Sequence, residues 1–274
     1  MKTKGLRYYI LIIVLCLLAG MWILPVYAMV VASFKTDAAM AKAAYLLPPP
    51  HIYLGNFVTA LMRLSRGLIN SLIIAIPATI LAVAVGSWSG YFLSLSKFKY
   101  GKQLFFLIAA ATFLDYVIVL IPITQFLRLI HLMNTHPGLI LAYVIFNAPM
   151  ATLIAATFFK VFPVEVLEAA DLDGCGRWQT FSKILLPLSI PGIASVFLLI
   201  FVTIWNEFLL GLTLTQEVTL QPVIPALANL KGSQVEKFNL QMAGSCLVSL
   251  LPILVFVFLG RYFVTGLMAG SSKG

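Results

Sequence analysis

Long apolar runs without a single charged side chain limit the folds open to this chain more than any other feature. No Asp, Glu, Lys or Arg occurs between Arg7 and Lys35, or from Gly67 to Ser96. A helix needs about 20 apolar residues to cross the hydrocarbon core of a bilayer, so each run is long enough for one span. Because 61% of the residues are hydrophobic and only 10% are charged, too few polar side chains remain to coat a soluble globule. The sequence therefore predicts an all-α integral membrane protein.

Four further apolar segments complete a set of six predicted transmembrane helices in a single domain, residues 1–274. Six spans place both termini on the same side of the membrane. The first resembles a signal peptide at its basic start, but its apolar stretch continues to Phe34 and is too long for a cleaved signal. The predicted spans cover residues 8–34, 67–96, 104–127, 139–159, 192–212 and 243–262.

The second predicted span carries two small residues at four-residue spacing. Gly86 and Gly90 form a small-xxx-small pattern, which lets the backbone of another helix approach closely. We therefore expect this span to pack inside the protein.

The long polar interval between spans four and five, residues 160–191, has the pattern of a helix-turn-helix at a membrane surface. Pro163 suits the first turn of a helix that ends near Leu172, because Gly174 can adopt the left-handed conformation that closes a helix. From Arg177, apolar residues recur at three- and four-residue spacing and predict a second amphipathic helix. Periodicity alone favours an ordinary amphipathic connector. The apolar residues are Trp178, Phe181, Ile184 and Leu185, and Pro187 and Pro191 are expected to stop the helix.

The residues of this interval also form a recognisable signature. Glu168-Ala169-Ala170, followed by Asp173-Gly174, closely resembles the "EAA" signature of the permease subunits of binding-protein-dependent ABC importers. Matches elsewhere resemble the second permease of maltose-type carbohydrate importers. They are Phe181, Ile184, Leu186-Pro187 and Pro191 in the interval, and Leu54 to Leu61, Asn70-Ser71, Trp205-Asn206-Glu207-Phe208, Arg261 to Val264, Gly266, Ala269-Gly270 and Lys273-Gly274 outside it.

The resemblance implies the membrane-spanning subunit of an ATP-driven sugar importer in the inner membrane of a prokaryote, with interval 160–191 as a cytoplasmic coupling loop. The implied partners are a second permease, two copies of an ATP-binding subunit, an extracytoplasmic sugar-binding protein and membrane lipid. ATP and Mg would be bound by the partner ATPase, so no cofactor is expected in this chain. The residues implied to couple to the ATPase are Glu165, Glu168, Ala169, Ala170, Asp173 and Gly174.

The motifs of an enzyme are missing from the sequence. There is no G-x-x-x-x-G-K-[ST] loop for ATP, no HExxH motif and no nucleophile elbow. Cys16, Cys175 and Cys246 lie far apart, so we predict neither a disulfide framework nor a metal site. The net charge of +9 is scattered between apolar runs, which is not the pattern of a nucleic-acid-binding face. We therefore expect a transport subunit with no catalytic residues and no nucleic-acid partner.

Polar residues inside the predicted spans are candidates for a translocation pathway, because polar groups at membrane depth are costly and usually face a cavity or a partner. For Asn147 and Asn206, hydrogen bonding to a companion subunit is an equal alternative. A lone carboxylate costs more to bury, which favours the pathway for Asp115. A proton-coupled secondary carrier using Asp115 or Glu207 is the alternative function. The pathway candidates are Asp115, Asn147, Asn206 and Glu207.

The distribution of basic residues predicts the orientation. With both termini in the cytoplasm, eleven Lys and Arg residues lie inside and seven outside. Lys97, Lys99 and Lys102 in one short turn contribute most clearly to this bias. The coupling loop then faces the cytoplasm.

Cys175 provides a test of this orientation. It is the one cysteine outside the predicted spans, so a membrane-impermeant maleimide should label it in inverted vesicles and spare it in intact cells. The labelled band should disappear in Cys175→Ser. Labelling of Cys175 in intact cells would reverse the predicted topology.

Overall fold

The computed structural model describes residues 6–40, 46–49, 51–95, 99–113, 116–230 and 238–271, and the regular structure in them is entirely helical. The chain divides into two compact units, residues 1–65 with 226–250 and residues 66–225 with 251–274. The helices are α1 (Leu6–Ser33), α2 (Asp37–Met40), α3 (Gly55–Leu95), α4 (Gly101–Ala111), α5 (Tyr116–Leu129), α6 (His136–Phe159), α7 (Val164–Leu172), α8 (Arg177–Gln179), a π-helical segment (Thr180–Leu185), α9 (Leu186–Leu188), α10 (Ile190–Trp205), α11 (Leu209–Leu214), α12 (Val223–Ala228) and α13 (Phe238–Ser271).

Four of the described helices are long and apolar enough to cross a membrane alone: α1, α3, α6 and α13. Two bent pairs bring the number to six if each pair is one span. Helices α4 and α5 are bent by 98°, and the stretch Arg177–Leu188 is bent by 83° against α10. The all-α membrane fold is thus confirmed, while the boundaries of the six spans stay a prediction.

Helix α3 is longer than the span predicted from Gly67, because it begins at Gly55. Arg63 and Arg66 interrupt the apolar pattern of the sequence. They do not interrupt the helix, because the segment from Asn56 to Arg66 contains no proline or glycine that would break its backbone hydrogen bonds. At about 1.5 Å per residue, its 41 residues exceed the roughly 30 Å of a hydrocarbon core. One end of α3 therefore extends beyond the membrane.

In the unit of residues 1–65 and 226–250, two buried asparagines join the ends of α1, α3 and α13. The Nδ2 of Asn56 donates to the carbonyl oxygens of Ser33 at 2.9 Å and Lys35 at 2.8 Å. The Nδ2 of Asn239 donates to the same Lys35 oxygen at 2.9 Å and to Oδ1 of Asp37 at 2.8 Å. These bonds satisfy backbone carbonyls at the point where α1 stops and the chain turns.

In the other unit, the segment that follows α11 is fixed to α3. The Nδ2 of Asn70 donates to the carbonyl oxygens of Thr219 at 2.9 Å and Gln221 at 3.0 Å. The adjacent Ser71 accepts a hydrogen bond from the backbone N–H of Val223 at 2.8 Å. The pair Asn70-Ser71, part of the family resemblance, thereby holds a loop about 150 residues away in sequence.

Helices α3 and α6 approach closely at two glycines. A Cβ atom added at Gly86 would lie 2.5 Å from the Cβ of Ala151, and one added at Gly90 would lie 2.9 Å from the carbonyl oxygen of Thr152. Real Cβ atoms do not come this near, so only glycine fits. The predicted small-residue contact of the second span is confirmed, and its partner is α6.

The second half of the coupling loop differs in detail from the predicted amphipathic helix. It consists of α8, the π-helical segment and α9, and Pro187 lies inside α9 instead of stopping the helix. The helical conformation continues from the π-helical segment through Leu186 and ends at Ser189, two residues after Pro187. The chain bends after α9 at Ser189, and Pro191 lies in the first turn of α10.

The contact between α3 and α6 yields a stability test. Gly86→Ala should lower the midpoint of thermal unfolding of the purified protein, because overpacking of this kind costs about 1–3 kcal/mol. Gly20→Ala is the matched control, since nothing lies within 4 Å of an added Cβ at that position in α1. Equal midpoints for the two variants would contradict the close packing.

Candidate functional site

The coupling loop presents most of its signature residues to the surface. In α7 and the turn after it, Glu165, Glu168 and Ala169 are exposed, and so are Asp173 and Gly174. The apolar side chain of Leu172 is 89% exposed beside them. An exposed leucine among carboxylates makes a surface with both apolar and acidic character.

The two alanines of the signature face different directions. Ala170 is only 2% exposed and packs within the chain, whereas Ala169 lies on the surface. The family resemblance implies a contact with the ATPase for both. In the structure only Ala169 is available for that role, because a helix turns by about 100° per residue and places neighbouring side chains on different faces.

Gly174 ends this helix in the predicted manner. Its φ angle is +73°, in the left-handed region, and an added Cβ would meet no atom within 4 Å. The N–H of Gly174 donates to the carbonyl of Asp171 at 3.1 Å, and the N–H of Cys175 donates to that of Ala170 at 2.9 Å. The glycine is required here for its backbone conformation, since space for a side chain exists.

An aromatic cluster fastens the second half of the coupling loop to two membrane helices. The Trp178 ring lies 4.9 Å from that of Trp88, and the Phe181 ring lies 5.0 Å from Trp88 and 5.5 Å from Tyr91. Edge-to-face and tilted ring pairs at such distances contribute about 0.5–1.5 kcal/mol each beyond their buried area. The cluster consists of Trp88, Tyr91 and Phe92 of α3, Phe159 of α6, and Trp178 and Phe181 of the coupling loop.

A cavity of about 490 Å³ lies among the helices of the larger unit, and it contains two of the predicted pathway residues. Asn147 of α6 and Glu207, between α10 and α11, both line it. The side chain of Asn147 donates to the carbonyl of Tyr143, one turn earlier, at 2.8 Å. The other polar lining residues are Thr112, which directly follows α4, Tyr116 of α5, Tyr143 of α6 and Thr203 of α10.

Glu207 lies where the fifth predicted span is broken. Helix α10 ends at Trp205 and α11 begins at Leu209, so the predicted span 192–212 is not one helix. The carboxylate accepts hydrogen bonds from the N–H groups of Leu210 at 2.9 Å and Gly211 at 3.0 Å, and from the hydroxyl of Tyr143 at 3.0 Å. By accepting from three donors, the Glu207 side chain caps the first turn of α11 and is held in a fixed position there.

The other pathway candidates have different positions. Asn206 is exposed, does not line the cavity, and donates to the carbonyl of Val202 in its own helix at 2.9 Å. Asp115 lies outside the described residues, so its role stays a prediction. In the part of the chain that the structure describes, no three His, Cys, Asp or Glu side chains form a group able to hold a metal ion.

The aromatic and hydroxyl residues of this cavity are not among the residues that the sequence predicts for the pathway. Tyr143 and Asn147 are four residues apart and share a helix face, a spacing that could have indicated Tyr143. No sequence spacing indicates Tyr116 or Thr203 in the same way, because these two residues come from helices that are distant in sequence. Similarly, Trp178 and Phe181 were recognised as an apolar face, but their partners on α3 were not.

The all-helical fold, with helices long and apolar enough to cross a membrane, is that of an integral membrane protein. A family model described as the inner membrane component of binding-protein-dependent transport systems matches residues 116–269. The chain therefore belongs to this family, as the sequence resemblance predicted.

Relatives and solved structures agree with this assignment. The chain is 34% identical to the glucose import system permease of Saccharolobus solfataricus, covering 95% of this chain and 94% of that protein. It is 35% identical to the trehalose transport system permease of Mycobacterium tuberculosis, covering 94% and 95%. In structure it is similar to a chain of a bacterial ABC transporter that imports the polysaccharide alginate, with a TM-score of 0.79, 18% identity and coverage of 96% and 99%.

The protein is thus a multi-pass inner-membrane subunit that translocates solute in an ATP-driven importer. It is a translocation component and not an enzyme, because ATP hydrolysis lies in a partner subunit. Its family works with an ATPase and a substrate-binding protein. These findings confirm the predicted class and role.

The Glu207 cap can be tested by substitution. Glu207→Gln leaves one acceptor oxygen for three donors, and because hydrogen bonds to charged groups contribute about 1.5–3 kcal/mol, the protein should unfold at a lower temperature. Tyr143→Phe removes one donor and should have a smaller effect. Glu217→Gln is the matched control, since Glu217 is exposed. If Glu207→Gln and Glu217→Gln unfold at the same temperature, the capping role is wrong.

Proposed function

We propose that this protein moves a carbohydrate into the cytoplasm by alternating access, with its coupling loop docked on a separate ATPase. Its relatives include permeases of glucose and trehalose import systems that match it over more than nine tenths of its length. The observation that carries the coupling role is the exposed α7 surface around Ala169 and Leu172.

The charge of α7 suits a basic partner surface. Glu165, Glu168, Asp171 and Asp173 are all exposed within one short helix and its cap. Arginine or lysine side chains on the rim of the ATPase would pair with these carboxylates. Leu172 would enter an apolar depression of the ATPase at the centre of the contact, and the small side chain of Ala169 would allow the ATPase to approach closely.

Movement of α7 has a structural route into the membrane. The coupling loop is continuous with α6 before it and α10 after it, and the aromatic cluster ties it to α3. A partner can shift a conformational equilibrium only through contacts that differ between the two states. Closure of the ATPase would supply such contacts at α7 and thereby move α3, α6 and α10 together.

The complete importer would contain a second permease, two copies of the ATPase and an extracytoplasmic sugar-binding protein. ATP and Mg would be held by the ATPase copies alone. Both termini of this chain would lie in the cytoplasm, which places the coupling loop on the side where ATP is available. Asn147 and Glu207 would contribute to the route of the solute.

A bulky side chain on the docking surface of α7 should prevent the ATPase from binding to the permease. Ala169→Trp should insert normally, because the residue is exposed and outside the long membrane helices, but the ATPase should no longer co-purify with tagged permease. Val218→Trp, a bulky change at another exposed apolar position between α11 and α12, is the control and should retain the ATPase. Full retention of the ATPase by Ala169→Trp would contradict the docking role.

Substitutions at two glycines of the coupling loop distinguish an effect of backbone conformation from an effect of side-chain bulk. Gly174 has a φ of +73° and Gly176 a φ of −68°, and neither has an atom within 4 Å of an added Cβ. Gly174→Val should therefore strain the turn by about 1–2 kcal/mol, misplace α7 and make ATP hydrolysis unresponsive to substrate. Gly176→Val should leave the response intact. Equal responses would show that the turn does not set the coupling angle.

A further inference from the structure

We propose that the cavity beside Asn147 is a carbohydrate-binding subsite carried by this chain itself, so that the sugar is held here and not only by a companion permease. This inference rests on the proposed function as a sugar importer. It goes further by assigning the bound solute to particular residues of one subunit. The subsite residues are Thr112, Tyr116, Phe146, Asn147, Thr203 and Glu207.

The cavity has the size and depth of a small-molecule site. Its volume of about 490 Å³ lies within the roughly 300–1,000 Å³ typical of such sites. It is lined from α4, α5, α6 and α10, at positions that the sequence places inside predicted spans. The lining is mainly apolar, and the polar side chains within it have remaining lone pairs that can form hydrogen bonds with an occupant or with water.

The hydrogen-bonding groups of the lining are mostly acceptors. The hydroxyl of Thr112 donates its proton to the carbonyl of Ala109 at 2.7 Å, and that of Thr203 donates to Leu199 at 2.9 Å, so each hydroxyl presents lone pairs. Asn147 uses its amide nitrogen on its own helix and retains the side-chain carbonyl oxygen as an acceptor. Solutes rich in hydroxyl donors complement such a lining.

The carboxylate of Glu207 restricts the charge of the solute. Its three donors fix it in place, and its remaining lone pairs can accept from hydroxyl groups. An anionic sugar would be repelled at this short range, in a region of low dielectric constant. The favoured class is therefore a neutral sugar.

Two aromatic rings supply the apolar part of the site. Tyr116 of α5 and Phe146 of α6 have ring centroids 6.3 Å apart with planes at 70°, so they form two walls of a corner. The C–H bonds of a sugar carry a slight positive charge and pack against the negative faces of aromatic rings. Acceptors on one side and ring faces on the other match the two chemical faces of a pyranose.

Protection of an engineered cysteine tests this subsite in the complete complex. In a background with Cys16, Cys175 and Cys246 changed to Ser, Thr203→Cys is labelled with a small uncharged methanethiosulfonate. Uptake by the same complex, with its own ATPase and binding protein, first identifies the transported member of a sugar panel that includes glucose and trehalose. At about ten times its Kd, that sugar should slow labelling roughly tenfold, and a panel member that is not transported should have no effect.

Ile118→Cys is the control, because Ile118 is 71% exposed on α5 and lies outside the cavity lining. Its labelling should not change with sugar. If a transported sugar fails to slow labelling of Thr203→Cys, the subsite is wrong and the proposed function stands. Slowing at both positions would indicate a conformational change and would also overturn the subsite. If no sugar of the panel is taken up, the proposed carbohydrate function itself fails.

A second variant measures the contribution of Asn147. In the Thr203→Cys background, Asn147→Ala should raise the sugar concentration that gives half-maximal protection about fivefold, as expected for one hydrogen bond of about 1 kcal/mol. Thr157→Ala, on the same helix but outside the cavity, is the matched control and should not change it. An unchanged protection curve for Asn147→Ala would remove this residue from the subsite.

Discussion

Every backbone N–H and C=O group in a lipid environment needs an internal hydrogen-bond partner, and this requirement shapes the fold around one carboxylate. The fifth predicted span is interrupted between Trp205 and Leu209, which frees the N–H groups at the start of α11. Glu207 accepts from two of them and from Tyr143 of α6. A break that would otherwise be too costly becomes stable, and the same carboxylate lines the cavity.

The coupling loop depends on a different interaction. Helix α7 is short, amphipathic and largely exposed, so its own hydrogen bonds cannot fix its position. The aromatic cluster holds the following segment against α3, and the cation of Arg177 lies 5.4 Å from the Phe92 ring centroid. The π-helical turns at Thr180–Leu185 place Phe181 in this cluster while Trp178 remains partly at the surface. Packed rings therefore connect the segment after α7 to α3 and α6.

Features that depend on local chemistry were predictable residue by residue. The closing conformation of Gly174 and the helix end at Leu172 follow from the nature of glycine, and the close approach at Gly86 follows from the absence of a side chain. Features that depend on which helices meet were not. The rings opposite Trp178 and the partners of Asn70 are contacts across a long sequence separation, and no periodicity of one segment specifies them.

The sequence by itself determined the membrane environment, the class of permease and a polar interval between the fourth and fifth predicted spans, because charge-free runs and short motifs are properties of neighbouring residues. Only the tertiary structure decided that Asn147 and Glu207 share a cavity, that Asn206 lies apart from it, and that the fifth span is broken. The physical reason is that the donors around a partly buried carboxylate determine its position. Those donors come from α6 and α11, which meet only when the helices pack.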